Sequence, residues 1–270
     1  MAEALARLGR WWILLLFLGC QVPFLLQPLG GLHKWRQADT MATARDLALE
    51  SPDPFHPRID LRGDRSGITG MEFPLYQLAT AGGIAVAGDR DWTGKATALV
   101  AAIAAWLALA ALLRRRLGVD RISAHASVAL SPLLFSYAAK IMPETTALAL
   151  ACVAVERTDA WLTGRRARDL VLASSALALA ALVRPYVVFA GAPLLLAWIA
   201  GLRQRRIGWE LVAAGTLAAA PFLAWYYLWC PHLVRTYGLS YFFTGNPLRE
   251  NLAGMAAPAF WGTLASSLLQ

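Results

Sequence analysis

The chain has 270 residues, 58% of them hydrophobic and 16% charged, well below the roughly 25% charged residues of a soluble domain. The apolar residues come in blocks with the charges between them, which excludes one oversized soluble core and points to a bilayer as solvent. The net charge of +8 is spread over short loops between the blocks, which argues against a nucleic-acid partner. Cys20, Cys152 and Cys230 lie in or at the end of apolar runs, with neither metal-type spacing nor a disulfide framework.

In chain order, Arg7 and Arg10 precede an apolar run from Trp11 to Leu26. No small-residue cleavage site follows, so the run reads as a retained first helix and not a signal peptide. A transmembrane helix needs about 20 mostly apolar residues. The expected spans cover residues 11–29, 92–113, 122–139, 144–155 extended to about 159, 170–183, 186–202 and 207–229. Pro132, Pro143, Pro185 and Pro221 fall near span ends or kink helices, which membranes tolerate. Residues 256–269 read as the opening of a further helix, so the chain is expected to be the N-terminal part of a longer one. Between the first two spans lies a long loop, residues 30–91. It holds a helix over 38–50 lying along the membrane and a stretch over 51–70 punctuated by Pro52, Pro54, Pro57, Gly63, Gly67 and Gly70. It ends in an apolar run over 75–87, too short to cross.

Charge parity sets the topology. Three basic loops carry Arg114, Arg115, Arg116 and Arg121; Arg157, Arg165, Arg166 and Arg168; and Arg203, Arg205 and Arg206. With 75–87 flat on the outer surface, all three share one side with Arg7 and Arg10, and short basic loops face the cytoplasm. Loop 30–91, the link at 140–144, the Arg184-Pro185 turn and the segment from Cys230 that holds His232, Arg235 and Arg249 then face outward. The predicted fold is all-α: a polytopic transmembrane helical bundle whose outer loop carries membrane-surface helices.

Three acidic residues fall at the outer boundary on this topology: Asp39, Glu72 and Glu144. A carboxylate beside hydrocarbon is costly and needs a partner or a task. Helix-dipole and capping roles account for Glu144 and Asp39 as well as a site does. Glu72 is harder to explain away, because Phe73, Pro74, Leu75 and Tyr76 press it against the membrane.

The same residues carry a family resemblance. The runs Lys34-Trp35-Arg36-Gln37-Ala38-Asp39-Thr40, Glu72-Phe73-Pro74-Leu75-Tyr76-Gln77 and Met142-Pro143-Glu144 resemble bacterial glycosyltransferases of family 39, within the C-type membrane glycosyltransferase superfamily. That group includes protein O-mannosyltransferases and the aminoarabinose transferase acting on lipid A. The resemblance covers residues 11–184 and implies transfer of a sugar from a polyprenyl-phosphate carrier to a lipid, glycan or protein acceptor. It implies a multi-pass protein of the bacterial inner membrane with its site facing the periplasm or exterior. Asp39 would serve as base or orient the acceptor, with Glu72 and Glu144 as the other catalytic carboxylates. Arg184 in Val183-Arg184-Pro185 resembles a basic turn that faces the donor phosphate, and Arg36 and Lys34 are its expected partners. Relatives are longer, and protein mannosyltransferases often show an adjacent Asp-Glu pair where this chain has Asp39-Thr40, which puts a protein acceptor in doubt.

A divalent metal stays open as a cofactor. His33, His56, Asp39, Glu72 and Glu144 are oxygen and nitrogen donors on the outer side, but no compact ligand spacing joins them. Trp35 and Tyr76 are candidates for stacking on a sugar, although interface anchoring is the default for tryptophans near span ends. Tyr226, Tyr227, Tyr237, Tyr241, Phe242 and Phe243 form an aromatic cluster that either covers an acceptor or lies on lipid. Two competing functions are a transporter or flippase of lipid-linked sugars and a non-catalytic assembly subunit. Transporters place charges at the midplane of broken helices, whereas the span centres here are nearly free of charge.

Overall fold

The computed structural model describes residues 2–31, 33–203 and 208–239, with 2–10 and 201–203 given by backbone alone. The side chains of Arg7 and Arg10, together with Arg205, Arg206, Tyr241, Phe242, Phe243, Arg249 and the helix expected over 256–269, lie outside the described residues. The described chain is helical, with one isolated antiparallel bridge between Arg58 and Ile68. The helices are α1 (Ala2–Leu26), α2 (Lys34–Leu49), α3 (Leu75–Ala87), α4 (Asp91–Leu117), α5 (Arg121–Ala129), α6 (Pro132–Tyr137), α7 (Pro143–Gly164) and α8 (Ala167–Val183). A 3-10 segment over Pro185–Gly191 leads into α9 (Ala192–Arg203). Finally α10 (Trp209–Leu223) passes through a π-helical turn, Ala224–Trp229, into α11 (Cys230–Tyr237).

Helix α7 is the centre of the packing, with α4 on one side and α8 on the other, and α10 leans on α8. Small residues at helical spacing make this close approach feasible. Ala98, Ala102 and Ala105 of α4, Ala147, Ala151 and Ala154 of α7, and Ala173, Ala176 and Ala180 of α8 are all buried. Large apolar side chains such as Trp12, Leu16, Val100, Leu172, Leu196 and Leu228 are instead exposed. This inversion suits an apolar surrounding better than water. Among the described residues two helices, Asp91–Leu117 and Trp209–Tyr237, are long and apolar enough to cross a membrane, and Trp11–Leu26, Leu75–Ala87 and Pro185–Ala200 are apolar but shorter.

Several expected boundaries change. Residues 122–139 do not form one helix: α5 ends at Ala129, and Ser131 starts α6 by accepting a hydrogen bond from the Leu134 amide at 3.5 Å. Pro132 sits in the first turn of α6, where its missing N–H costs nothing. The short span expected from 144 runs on to Gly164, because the charges met after Val155 are neutralised in place. Arg115 donates to Glu156 at 2.6 Å and to Asp159 at 3.0 Å, and Arg157 reaches Asp169 of α8 at 3.1 Å. Arg116 also pairs with Asp159, and Arg157 with Glu156. The three carboxylates are buried and paired, so this cluster ties the ends of α4, α7 and α8 together.

In the loop between α1 and α4, α2 packs on α3 and α3 packs on α4. Met41, Ala44, Tyr76, Ile84, Ala98 and Ile141 form their shared core. The predicted surface helix over 38–50 begins four residues earlier, at Lys34. The turn-rich stretch is irregular as expected, and Glu50 pins it by pairing with Arg58 at 3.0 Å and with Arg62 at 2.5 Å. These two guanidiniums hold the Glu50 carboxyl down at about 2.

Candidate functional site

Four segments far apart in sequence deliver four charges to one place. Arg36 comes from the first turn of α2, Glu72 from the segment before α3, Glu144 from the first turn of α7, and Arg184 from the end of α8. Local chemistry sets each position. Pro185 disfavours helical backbone at the residue before it, and Arg184 accordingly sits at φ −144°, ψ 108° as the cap of α8. Pro143 opens α7, and Glu144 beside it lies where the helix dipole favours an anion. Glu72 is held by its neighbours: the Phe73 amide donates to the Leu182 carbonyl at 3.1 Å, and Trp225 Nε1 donates to the Met71 carbonyl at 2.9 Å. Phe73 stacks edge-on against Trp225 at 4.9 Å between ring centres. The π-helical turn widens the helix just where Trp225 and Tyr226 turn inward, and the Tyr226 hydroxyl donates to the Leu182 carbonyl at 2.6 Å.

The charges alternate in sign. Arg184 lies 2.6 Å from Glu144 Oε1 and 3.2 Å from Glu72 Oε1. Arg36 lies 3.4 Å from Glu144 Oε1 and 3.5 Å from Glu72 Oε1. Glu72 and Arg184 are buried, at 4% and 7% exposed, whereas the Glu144 side chain is 27% exposed. Two buried atoms of the cluster, Glu144 Oε2 and Arg184 Nε, have no hydrogen-bond partner among the described residues. Buried polar atoms in native interiors are paired by protein or by ordered water, and both of these atoms belong to the charged cluster.

Asp39 lies beside this cluster, on the face of α2 formed by Arg36, Asp39, Thr40 and Thr43. With Met71, Glu72 and Gln77 these residues line a recess of about 10 Å3, close to the room one water needs. Gln77 is the residue sequence reasoning missed as part of the site. It is 1% exposed, and neither its amide oxygen nor its nitrogen has a partner among the described residues. A glutamine in the mostly apolar run over 75–87 was the available signal.

Of the residues expected at the site, Asp39, Glu72, Glu144, Arg36 and Arg184 are therefore gathered. Lys34 and Trp35 stand exposed on α2, Trp35 at 61%, outside the four-charge cluster. Tyr76 corrects the expectation: it is fully buried, and its hydroxyl donates to the Gly94 carbonyl at 2.6 Å. Its ring packs α3 onto α4 and offers no face to a sugar. Metal ligands do not assemble either. Among the described residues no three His, Cys, Asp or Glu side chains converge on a metal position. His56 is engaged with Asp53 at 2.6 Å, and His33 faces Tyr137 at 3.4 Å.

Helix α8 links the cluster to an apolar cavity. The cavity, of about 520 Å3, lies between α8, α9 and α10 and is lined by Leu177, Ala181, Leu194, Trp198, Leu211 and Phe222 among others. Ala181 is less than one turn from Arg184. No family model, curated protein or solved structure matches the chain.

Proposed function

We propose that the chain is a multi-pass membrane glycosyltransferase that moves a sugar from a polyprenyl phosphate to an acceptor on the extracytoplasmic side. The observation that carries this reading is the four-charge cluster of Arg36, Glu72, Glu144 and Arg184 beside Asp39, at the end of a helix whose flank lines an apolar cavity. The donor has the matching parts: an anionic phosphate, a long apolar tail and a sugar between acceptor and phosphate. Guanidinium groups bind phosphate oxygens in pairs. The unpartnered Nε of Arg184 offers one such donor without breaking an existing hydrogen bond.

The chemistry needs little more. The acceptor hydroxyl attacks the anomeric carbon, its bond to phosphate breaks through an oxocarbenium-like state, and the phosphate leaves as an anion. Asp39 takes the hydroxyl proton, a contribution of roughly 10²–10⁴-fold. One base and one leaving group on opposite faces give inversion at the anomeric carbon. Glu72 and Glu144 hold the two arginines apart and aimed, and Glu144, the more exposed carboxylate, is the one a bound phosphate displaces.

Helix geometry supports a membrane setting. Glu144 and Asp159 lie on one helix fifteen residues apart, about 22 Å along the axis at 1.5 Å per residue. The hydrocarbon core of a bilayer is about 30 Å thick. A crossing α7 therefore carries at least one of its two charge clusters below headgroup level, and both clusters are built from paired opposite charges, as that depth demands.

Asp39→Asn in the purified full chain tests the reading. With a polyprenyl-phosphate sugar and envelope acceptors, transfer followed by mass spectrometry is expected to fall at least 100-fold while the thermal midpoint holds. Undiminished transfer by Asp39→Asn would remove the base from the mechanism, and the reading with it.

A further inference from the structure

A second cavity, of about 400 Å3, meets α2 at Gln37 and shares no lining residue with the Asp39 recess. It is lined by the end of α1 and the turn after it (Phe24, Gln27, Gly30), by Gln37 of α2, and by two lysines, Lys95 of α4 and Lys140 of the link into α7. Its volume falls within the roughly 300–1,000 Å3 of small-molecule sites. We propose that it is a phosphate-headgroup site, separate from the four-charge cluster.

The charge pattern argues for an anion. Among the described residues, both titratable residues lining the cavity are cations, and no carboxylate lines it. Lys95 is 4% exposed, yet its partners are backbone carbonyls, Phe24 at 2.9 Å and Gln27, and not an acid. An ammonium carries three N–H donors, so two are spent on the end of α1 and one is left over. Taking a lysine this far out of water without a counter-anion is costly. Asp91, about one turn before it on the same helix, is engaged by Arg45 at 3.1 Å. Lys140 is half-buried and comes from a different element, so an anion between the two would join the α1 end, α4 and the α7 link.

The pocket is also built. Gln37 crosses its wall, donating to the Gly30 carbonyl at 3.2 Å and accepting from the Ile141 amide at 3.3 Å. Gly31 takes φ +73°, a conformation that suits glycine, and a Cβ there would stand 3.4 Å from Lys140 Nζ. The turn after α1 thus wraps closely around the lysine head. A phosphate mono- or diester supplies both the charge and several acceptor oxygens, and the spare volume accommodates the group esterified to it. The source is either a membrane phospholipid or a soluble phosphate ester.

The experiment uses the full chain in nanodiscs of neutral lipid, titrated with glycerol 3-phosphate in one arm. In the other arm, phosphatidylglycerol replaces part of the neutral lipid, and binding is read by thermal shift and native mass spectrometry. Lys140→Gln is expected to weaken binding about tenfold or more. Arg90→Gln, which removes an exposed charge beside the start of α4, is expected to leave it unchanged. Ala139→Leu, which keeps every charge but fills the cavity, is expected to abolish it. Lys140-dependent binding of the soluble ester supports the site with a headgroup alone as ligand, and Lys140-dependent binding only of the lipid supports it with a phospholipid as source. Binding that ignores Lys140→Gln, that falls equally in Arg90→Gln, or that is missing in both arms overturns the proposal.

Discussion

The four-charge cluster invites a double-mutant cycle on Arg184 and Glu144. Their contact is the shortest in the cluster, 2.6 Å, with Arg184 nearly enclosed and Glu144 about a quarter exposed. Breaking a fully buried pair costs about 3–5 kcal/mol, chiefly because the surviving charge is stranded. Here Arg36 remains within 3.5 Å of both carboxylates and softens the loss. Arg184→Gln leaves two carboxylates sharing one guanidinium, one of them Glu72 at 4% exposure, and about 2–3 kcal/mol of destabilisation is expected. Glu144→Gln leaves two guanidiniums on Glu72, but its own side chain reaches solvent, so about 1–2 kcal/mol is expected. The double mutant restores one cation to one anion, Arg36 to Glu72. It should therefore be more stable than the two single costs predict together, by about 1–3 kcal/mol. Reversible unfolding of the full chain in mixed micelles, followed by tryptophan fluorescence, measures all three. Costs that add to within about 0.5 kcal/mol would mean that the two side chains do not share one electrostatic environment, and the cluster would no longer stand as a unit. Sugar transfer should be lost in both single mutants and in the recovered double mutant, which separates stability from function.

Two further outcomes follow from particular contacts. Burial raises the Asp46 carboxyl from 3.8 to about 6, with the Asp60 and Glu50 charges adding to it. An acid whose folded pKa is raised costs stability as pH climbs from its unfolded value to its folded one, here over about pH 4–6, and the cost stays constant above that. Asp46→Asn should therefore raise the thermal midpoint at pH 7, by the equivalent of up to about 3 kcal/mol, and leave it unchanged near pH 4; an equal shift at both pH values would count against burial as the cause. Gly70→Ala would place a Cβ 2.8 Å from the Cys230 carbonyl oxygen and 3.1 Å from Val234 Cγ2. Pushing α11 off the segment that carries Glu72 should cost about 1–3 kcal/mol and reduce transfer, and a variant with full stability and activity would show that this close contact between α11 and Gly70 is not needed.

Much of the site was legible in the sequence, because its residues sit beside strong local signals. Pro143 and Pro185 mark where α7 begins and α8 ends, so Glu144 and Arg184 were placed at helix ends by backbone chemistry alone. The composition and the apolar blocks likewise determined a helical chain, since their length and spacing suit little else. Tyr76 was misread because a tyrosine beside Pro-Leu looks the same in sequence whether its ring meets a ligand or a neighbouring helix. Only packing against α4 decided that it is core. The continuation of α7 past Glu156 and Asp159 was equally hidden, for a charge ends an apolar block in sequence, whereas Arg115 and Arg116 arriving from α4, with Arg157 of α7 itself, cancel it in space.

The chain by itself determined which residues carry charge, where helices can start and stop, and which segments are apolar. The tertiary structure alone decided which charges meet. Arg36 and Glu72 are separated by a long irregular loop, and Glu144 and Arg184 by a helical hairpin. Their ion pairs depend on how α2, α7 and α8 pack, and no local propensity encodes that distance. The same packing buried Gln77 and, among the described residues, brought two lysines and no acid to one cavity, because burial is a property of neighbours and not of the residue buried.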